Sequence, residues 1–156
     1  MDFKLELVML PVSDVDRAKN FYTQALGFKL EVDGGANEGG RIVQVTPPGS
    51  ACSVGFGSNL RLAGGSVVTA PPGSQQGLHL AVTDIVAARD ELIGRGVEVG
   101  EIVHMEDGRW KPGVDPGRSS YMSFAEFSDP DGNLWLLQEI RAGEDAAEAG
   151  DRVTDT

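Results

Sequence analysis

The sequence predicts an α+β protein made of two βαβββ modules. Three observations carry that prediction. Apolar residues recur in short runs of strand length, separated by Gly, Pro, Asn and Asp clusters. Two segments, SDVDRAKNFYTQALGF and TDIVAARDELIGRG, repeat apolar residues at helical spacing instead. The chain also repeats itself at an offset of about 70 residues, with LPVSDVDRAKNFYTQALGFKLEV lying over LAVTDIVAARDELIGRGVEVGEI. In that overlay Val12 falls on Val82, Asp14 on Asp84, Val15 on Ile85 and Ala18 on Ala88. One module cannot bury its own apolar faces, so the repeat predicts two half-sheets that complete one core.

Residues 3–12 read as the first strand. Ser13 or Asp14 caps a helix over 14–26, Asp16 suits its first turn, and Gly27 ends it. Residues 28–32 form a strand, 33–40 (DGGANEGG) a flexible loop, and RIVQVT with SACSVGFG a hairpin around Pro47-Pro48-Gly49. The Gly/Ser/Pro-rich stretch 58–76 is a connector. LHLAV (78–82) opens the second module, followed by a helix over 84–95 closed by Gly96. VEVGEIVHM continues as strand, and 107–120 is a long irregular loop. YMSFAEFS, the turn DPDGN and LWLLQEI close the module. These bounds predict one domain over 1–140, with modules at about 1–60 and 76–140. Residues 141–156 form an acidic flexible tail with five acids and two arginines.

Composition narrows the function classes. The chain has 156 residues, 40% hydrophobic and 24% charged, which fits one globular domain. Thirteen basic against 24 acidic residues leave a net charge of −11, which disfavours nucleic acid and anionic membranes as partners. No apolar run reaches the roughly 20 residues that span a bilayer. MDFKLELVML carries acids and no long apolar stretch, so no secretory signal is expected. One cysteine, Cys52, permits no internal disulfide, and a cytoplasmic location is expected. GGANEGG and LAGGS lack the lysine and helix start of a phosphate loop, and no G-x-S-x-G elbow is present. No cofactor is implied.

The segments PVSDVDRAKNFYTQALGF, VTDIVAARDELIGRGV and FSDPDGNLWLLQE, in this order and spacing, resemble the vicinal oxygen chelate superfamily, the glyoxalase/bleomycin-resistance/extradiol-dioxygenase group. The resemblance covers roughly residues 3–140. It implies that the paired modules curl into a cup-shaped mixed sheet with the helices outside. The inner wall would bind a small molecule, usually with a divalent metal. The family's metal ligands map onto Leu7, Gly55, Gly77 and Leu136, none of which offers a side-chain donor. The resemblance therefore implies a cup without metal. It also implies a homodimer.

Strand alternation selects the wall of that cup: Leu7, Met9, His79, Met122, Phe124, Glu126, Leu136 and Gln138, with Trp110 on the 107–120 loop at its mouth. Two functions fit. The cup sequesters a small hydrophobic or aromatic metabolite or antibiotic. Alternatively it is a cofactor-free isomerase, lyase or cyclase in which His79 and Glu126 exchange a proton with the substrate. A divalent-metal glyoxalase or dioxygenase with displaced ligands is a further alternative, and a non-catalytic partner domain a fourth. His104 reads as a rim or surface residue, Trp135 and Tyr22 as packing, and Cys52 as a buried small residue.

Overall fold

The computed structural model describes residues 1–36 and 39–141. The chain divides into two units: Met1–Gln76 with Ser128–Asn133, and Gly77–Phe127 with the chain from Leu134 onward.

In the first unit, β1 (Leu7–Met9), α1 (Val15–Asn20), β2 (Lys29–Gly35), β3 (Arg41–Thr46) and β4 (Ser53–Ser58) form one βαβββ module. The sheet order is β1-β4-β3-β2. β1 runs parallel to β4, whereas β2/β3 and β3/β4 are antiparallel. The first strand is much shorter than the alternation over 3–12 predicts. A strand needs a ladder partner, and β4 begins only at Ser53, opposite Leu7. Phe3 and Leu5 are left exposed. β2 runs to Gly35, so it takes up the start of the expected 33–40 loop; Asn37 and Glu38 of that loop lie outside the described residues.

The first helix begins where predicted. The Asp14 carboxylate accepts from the Arg17 amide at 3.0 Å. Its last turn widens into a π-helical turn over Phe21–Ala25, closed by Leu26 N–H donating to the Phe21 carbonyl at 3.0 Å. Gly27 follows at φ 72°. Tyr22 sits in this turn, fully buried, with its ring 5.6 Å from Phe56 and 5.8 Å from Phe28. Val43, Val45, Val54 and Phe56 complete this core from the sheet face under the helix.

The DPDGN turn belongs to this unit and does more than reverse the chain. Buried Asp129 accepts from the Tyr22 hydroxyl at 2.7 Å, from Asn133 Nδ2 at 2.7 Å and from the Asp131 and Asn133 amides at 2.9 Å. Asn133 Nδ2 also donates to the Pro11 carbonyl, and its Oδ1 accepts from the Gln75 amide. Asp131 accepts from Ser13 and Arg17. Each buried polar group of the turn is thereby satisfied.

In the second unit, β5 (Gln76–Val82), α2 (Ile85–Gly94), β6 (Val103–Glu106), β7 (Arg109–Pro112), β8 (Ser123–Ser128) and β9 (Leu134–Glu139) form a sheet of order β5-β9-β8-β6-β7. Asp84 caps α2 through the Ala87 amide, and Gly96 closes it at φ 89°. Ile85, Leu92, Val97, Phe127, Trp135 and Leu137 are buried, with Phe127 and Trp135 stacked at 6.1 Å. Two expectations change here. Of VEVGEIVHM, only Val103 onward is strand; Val99 makes an isolated bridge to Phe127. The expected irregular loop 107–120 begins instead as a β-hairpin. Asp107 and Gly108, at φ 53° and 73°, turn β6 into β7.

Glu139, 1% exposed, ties this unit together. Its carboxylate accepts from Arg118 Nη2 at 2.6 Å, from Arg118 Nε at 2.9 Å and from the Ile85 amide at the start of α2 at 3.0 Å. Among the described residues no helix is long and apolar enough to cross a membrane. The expected acidic tail lies, beyond Arg141, outside the described residues.

Arg118 beside Glu139 holds its carboxyl below the ordinary 4.5, and burial only partly opposes this. A depressed folded-state value contributes stability that is complete above 4.5 and is lost as pH falls through the lower folded value. Glu139→Gln is expected to lower stability near neutrality by roughly 1–3 kcal/mol, because Arg118 is partly solvated and screens part of the loss. The wild-type excess over the variant should shrink on acidification below 4.5, as measured by urea denaturation at stepped pH.

Candidate functional site

Each sheet carries one helix on one face, and alternation assigns the remaining side chains to the other. In β9 the sequence LWLLQE alternates half-buried and buried, so Leu134, Leu136 and Gln138 share the open face. In β8, Ser123, Ala125 and Phe127 are buried, while Phe124, Glu126 and Ser128 face the open side. In β5, His79 is exposed between half-buried Leu78 and Leu80. The register opposes Val103 to Phe124 and Met105 to Trp110, which places all four on this same face.

These residues meet through their rings. Phe124 stands edge-to-face with Trp110 at 5.7 Å and with His79 at 6.2 Å. The row runs from the first strand of the sheet to the last. Trp110 is 58% exposed, so an indole surface remains open to solvent. His79 Nδ1 lies 2.7 Å from the Gly77 carbonyl, which only accepts, so Nδ1 carries the proton and Nε2 keeps its lone pair when the ring is neutral. Gln138 Nε2 donates to the Tyr121 carbonyl at 3.4 Å.

The second unit therefore places His79, Phe124, Glu126, Leu136 and Gln138 on one face, together with Trp110. Trp110 belongs to strand β7, not to an irregular loop. Met122 is the exception. β8 starts at Ser123, after Tyr121 at φ 71°, so strand alternation does not extend to Met122. Met105 and Val103 join the face without having been selected. Their signal was the Asp107-Gly108 pair, a strong two-residue hairpin turn.

In the first unit Leu7 and Met9 lie on the open face of β1. Met9 stands opposite Gly55, and a Cβ built on Gly55 would lie 3.0 Å from Met9 Sδ and 3.4 Å from Leu7 Cδ1. The two side chains occupy the space that Gly55 leaves. Beside them, a cavity of about 370 Å³ is lined by Leu7, Met9, Ile42, Leu60 and Leu62, with Arg61 among its lining residues. Residues 60–63 of the connector form part of its wall, within a small tongue over 60–68 bridged at Arg61 and Val67.

The resemblance implies a divalent metal, and the residues present do not fit one. At Leu7 and Gly55 the space is taken by the Leu7 methyls and the Met9 thioether. Gly77 adopts φ 90°, where a side chain would be strained. Leu136 is a half-buried leucine on its open face. Hard divalent cations need carboxylate, imidazole or carbonyl donors that none of these side chains supplies. Among the described residues no group of three or more His, Cys, Asp or Glu is arranged to hold a metal ion.

His104 is not on the rim. It is 5% exposed, on the helix-side face of β6. Its Nδ1 lies 2.8 Å from the Gly113 carbonyl and its Nε2 3.1 Å from Glu106 Oε2. Cys52 is partly exposed, with its thiol toward the Ser53 carbonyl. Trp135 and Tyr22 are core, as the sequence predicts.

No curated protein matches the chain at a significant level. Solved structures do. TnmS3, an antibiotic binding protein from Streptomyces sp. CB03234, is 32% identical, covering 88% of this chain and 96% of its own, with a TM-score of 0.64. A glyoxalase/bleomycin resistance protein from the same Streptomyces is 34% identical over 86% of this chain and 99% of its own, at a TM-score of 0.63. A superfamily member from Sphaerobacter thermophilus DSM 20745 is 30% identical over 89% and 98%, at 0.66. Residues 4–137, most of both modules, match the family as a whole, and the chain belongs to the Glyoxalase/Bleomycin resistance protein/Dioxygenase superfamily.

Proposed function

We propose that this protein binds a small hydrophobic or aromatic metabolite or antibiotic on its open sheet faces without a metal, and sequesters it. One observation carries the reading. The four positions expected to hold metal donors are Leu7, Gly55, Gly77 and Leu136, and apolar groups fill the space around Leu7 and Gly55. Such faces favour transfer of apolar surface out of water and stacking against Phe124 and Trp110. On the face of Phe124 and Trp110, Leu136 and Gln138 are the further contacts, with Gln138 as a polar handle, while Leu7 and Met9 line the open face of the first unit. The likeness to TnmS3, at 32% identity, supports an antibiotic as the ligand class. The single cysteine, which permits no internal disulfide, supports a cytoplasmic protein.

A second reading rests on His79. Its Nδ1 proton is held by the Gly77 carbonyl, which leaves Nε2 on the open face as a proton acceptor, with Glu126 on the same face. A cofactor-free isomerase, lyase or cyclase would use that pair.

Purified protein is expected to hold far less than one divalent metal per chain by elemental analysis, with ligand affinity unchanged by chelator. Stoichiometric metal would refute the metal-free reading.

Native mass spectrometry against a panel of planar aromatic and aliphatic compounds should identify a ligand. Calorimetry should then show Trp110→Ala and Phe124→Ala each weakening it by about 1–3 kcal/mol. His79→Ala separates the two readings. Sequestration predicts a modest affinity loss and no product, whereas catalysis predicts a fall in turnover of roughly 100-fold or more.

We also infer a homodimer. β2 is an edge strand that exposes Leu30 and Val32, an apolar edge of the kind that invites pairing. Light scattering should give about twice the monomer mass of 16.5 kDa.

A further inference from the structure

We propose that His104, charged and donating from both ring nitrogens, clasps the β6–β7 hairpin to the chain at Gly113 and so positions Trp110 beside Phe124. The geometry requires the two donors. Nδ1 faces the Gly113 carbonyl at 2.8 Å and Nε2 faces the Glu106 carboxylate at 3.1 Å. A carbonyl and a carboxylate only accept, and a neutral imidazole has one N–H to give. Loss of the proton sets a lone pair against an acceptor on a buried ring.

The position of His104 in the sheet makes that loss matter. β6 pairs with β8 at two rungs, Val103 with Phe124 and His104 with Ser123. Beyond His104 the hairpin, Met105 to Trp110, has no ladder to β8 and is paired only to itself. His104 therefore occupies the last rung before the projecting end that carries Trp110. Its two bonds connect that end to Gly113, where the chain leaves β7. The Gly113 amide in turn donates to the Ile102 carbonyl at 2.7 Å.

The charged groups around the ring favour the imidazolium. On β6, Glu106 bonds it directly. From the segment after β7, Asp115 adds a second attractive charge, with its amide held by Ser123 Oγ and its carboxylate by the Ser119 amide. On β7, Lys111 stands opposite His104 and opposes its charge, while Arg109 stands opposite Glu106. On α2, Arg89 donates to the Val99 and Gly100 carbonyls, and Arg118 is committed to Glu139. The Gly113 carbonyl first, and then Glu106, hold the His104 ring above the ordinary 6.5, against the effect of burial. A raised folded-state value contributes order that is complete below 6.5 and is lost as pH rises through the higher folded value.

The order of the hairpin does not depend on a bound ligand. The test is therefore made on ligand-free protein. Tryptophan emission followed from pH 5.5 to 9 should show one transition with its midpoint above 6.5, the ordinary value. Trp110→Phe should abolish it, because Trp135 is buried in the core. His104→Asn should abolish it too. Glu106→Gln, at a half-exposed side chain, should keep the fold and lower the midpoint by roughly half a unit or more. A proton NMR titration of the histidine rings should give the same midpoint for His104. The proposal is overturned if emission stays flat across the range. It is overturned equally if the transition survives His104→Asn or Trp110→Phe, or if Glu106→Gln leaves the midpoint in place.

Discussion

One helix covers one face of a sheet, and among the described residues each sheet has one helix. Residues under α1 or α2 are excluded from water, and each buried apolar side chain contributes about 1.5–3 kcal/mol. Val43, Val45, Val54 and Phe56 meet that condition in the first unit, and Ala125, Phe127, Trp135 and Leu137 in the second. Among the described residues no helix of the same unit lies on the opposite faces. Strand geometry then sends every second residue to the face away from the helix: Leu7 and Met9 in the first unit's sheet, and His79, Phe124, Glu126, Leu136 and Gln138 in the second's. The core and the candidate site are two consequences of the same period of two.

Buried polar groups bind the irregular segments to these sheets. Asp129 and Asn133 connect the last turn of the chain to Tyr22, Pro11 and Gln75. Glu139 connects the segment around Arg118 to the first turn of α2. His104 connects β6 to Gly113. Among the described residues no buried side-chain nitrogen or oxygen lacks a partner. That matters because an unpaired buried group costs about 1–3 kcal/mol, a large share of a small domain's net stability. Hydrophobic burial selects which face is inside, and these directional bonds select where the loops attach.

The chemistry of the open faces follows from what replaces the donors. At Gly55 the missing side chain makes room for the Met9 thioether and the Leu7 methyls. At Gly77 the backbone itself, at φ 90°, is unsuited to a side chain, and its carbonyl orients His79. The face that carries Phe124, Trp110 and His79 in edge contact presents mostly apolar, polarizable surface. Glu126 and Gln138 are its polar exceptions.

The sequence by itself determined the features whose causes lie within a few residues of one another. Asp14 and Asp84 are caps because their carboxylates reach amides three residues on. Gly27 and Gly96 end their helices because positive φ suits glycine, and Phe127 and Trp135 are core by simple alternation. The repeat at an offset of about 70 residues extended this to the two-module architecture. Tertiary structure alone decided what depends on a distant partner. β1 starts only at Leu7 because β4 begins at Ser53, opposite it. RWKP shows no apolar alternation, so its strand was concealed until β6 supplied the pairing. His104 looks exposed beside MEDG in the sequence. It is buried because Ser123, nineteen positions on, and Gly113, nine on, close over it, and neither contact leaves a local trace in the chain.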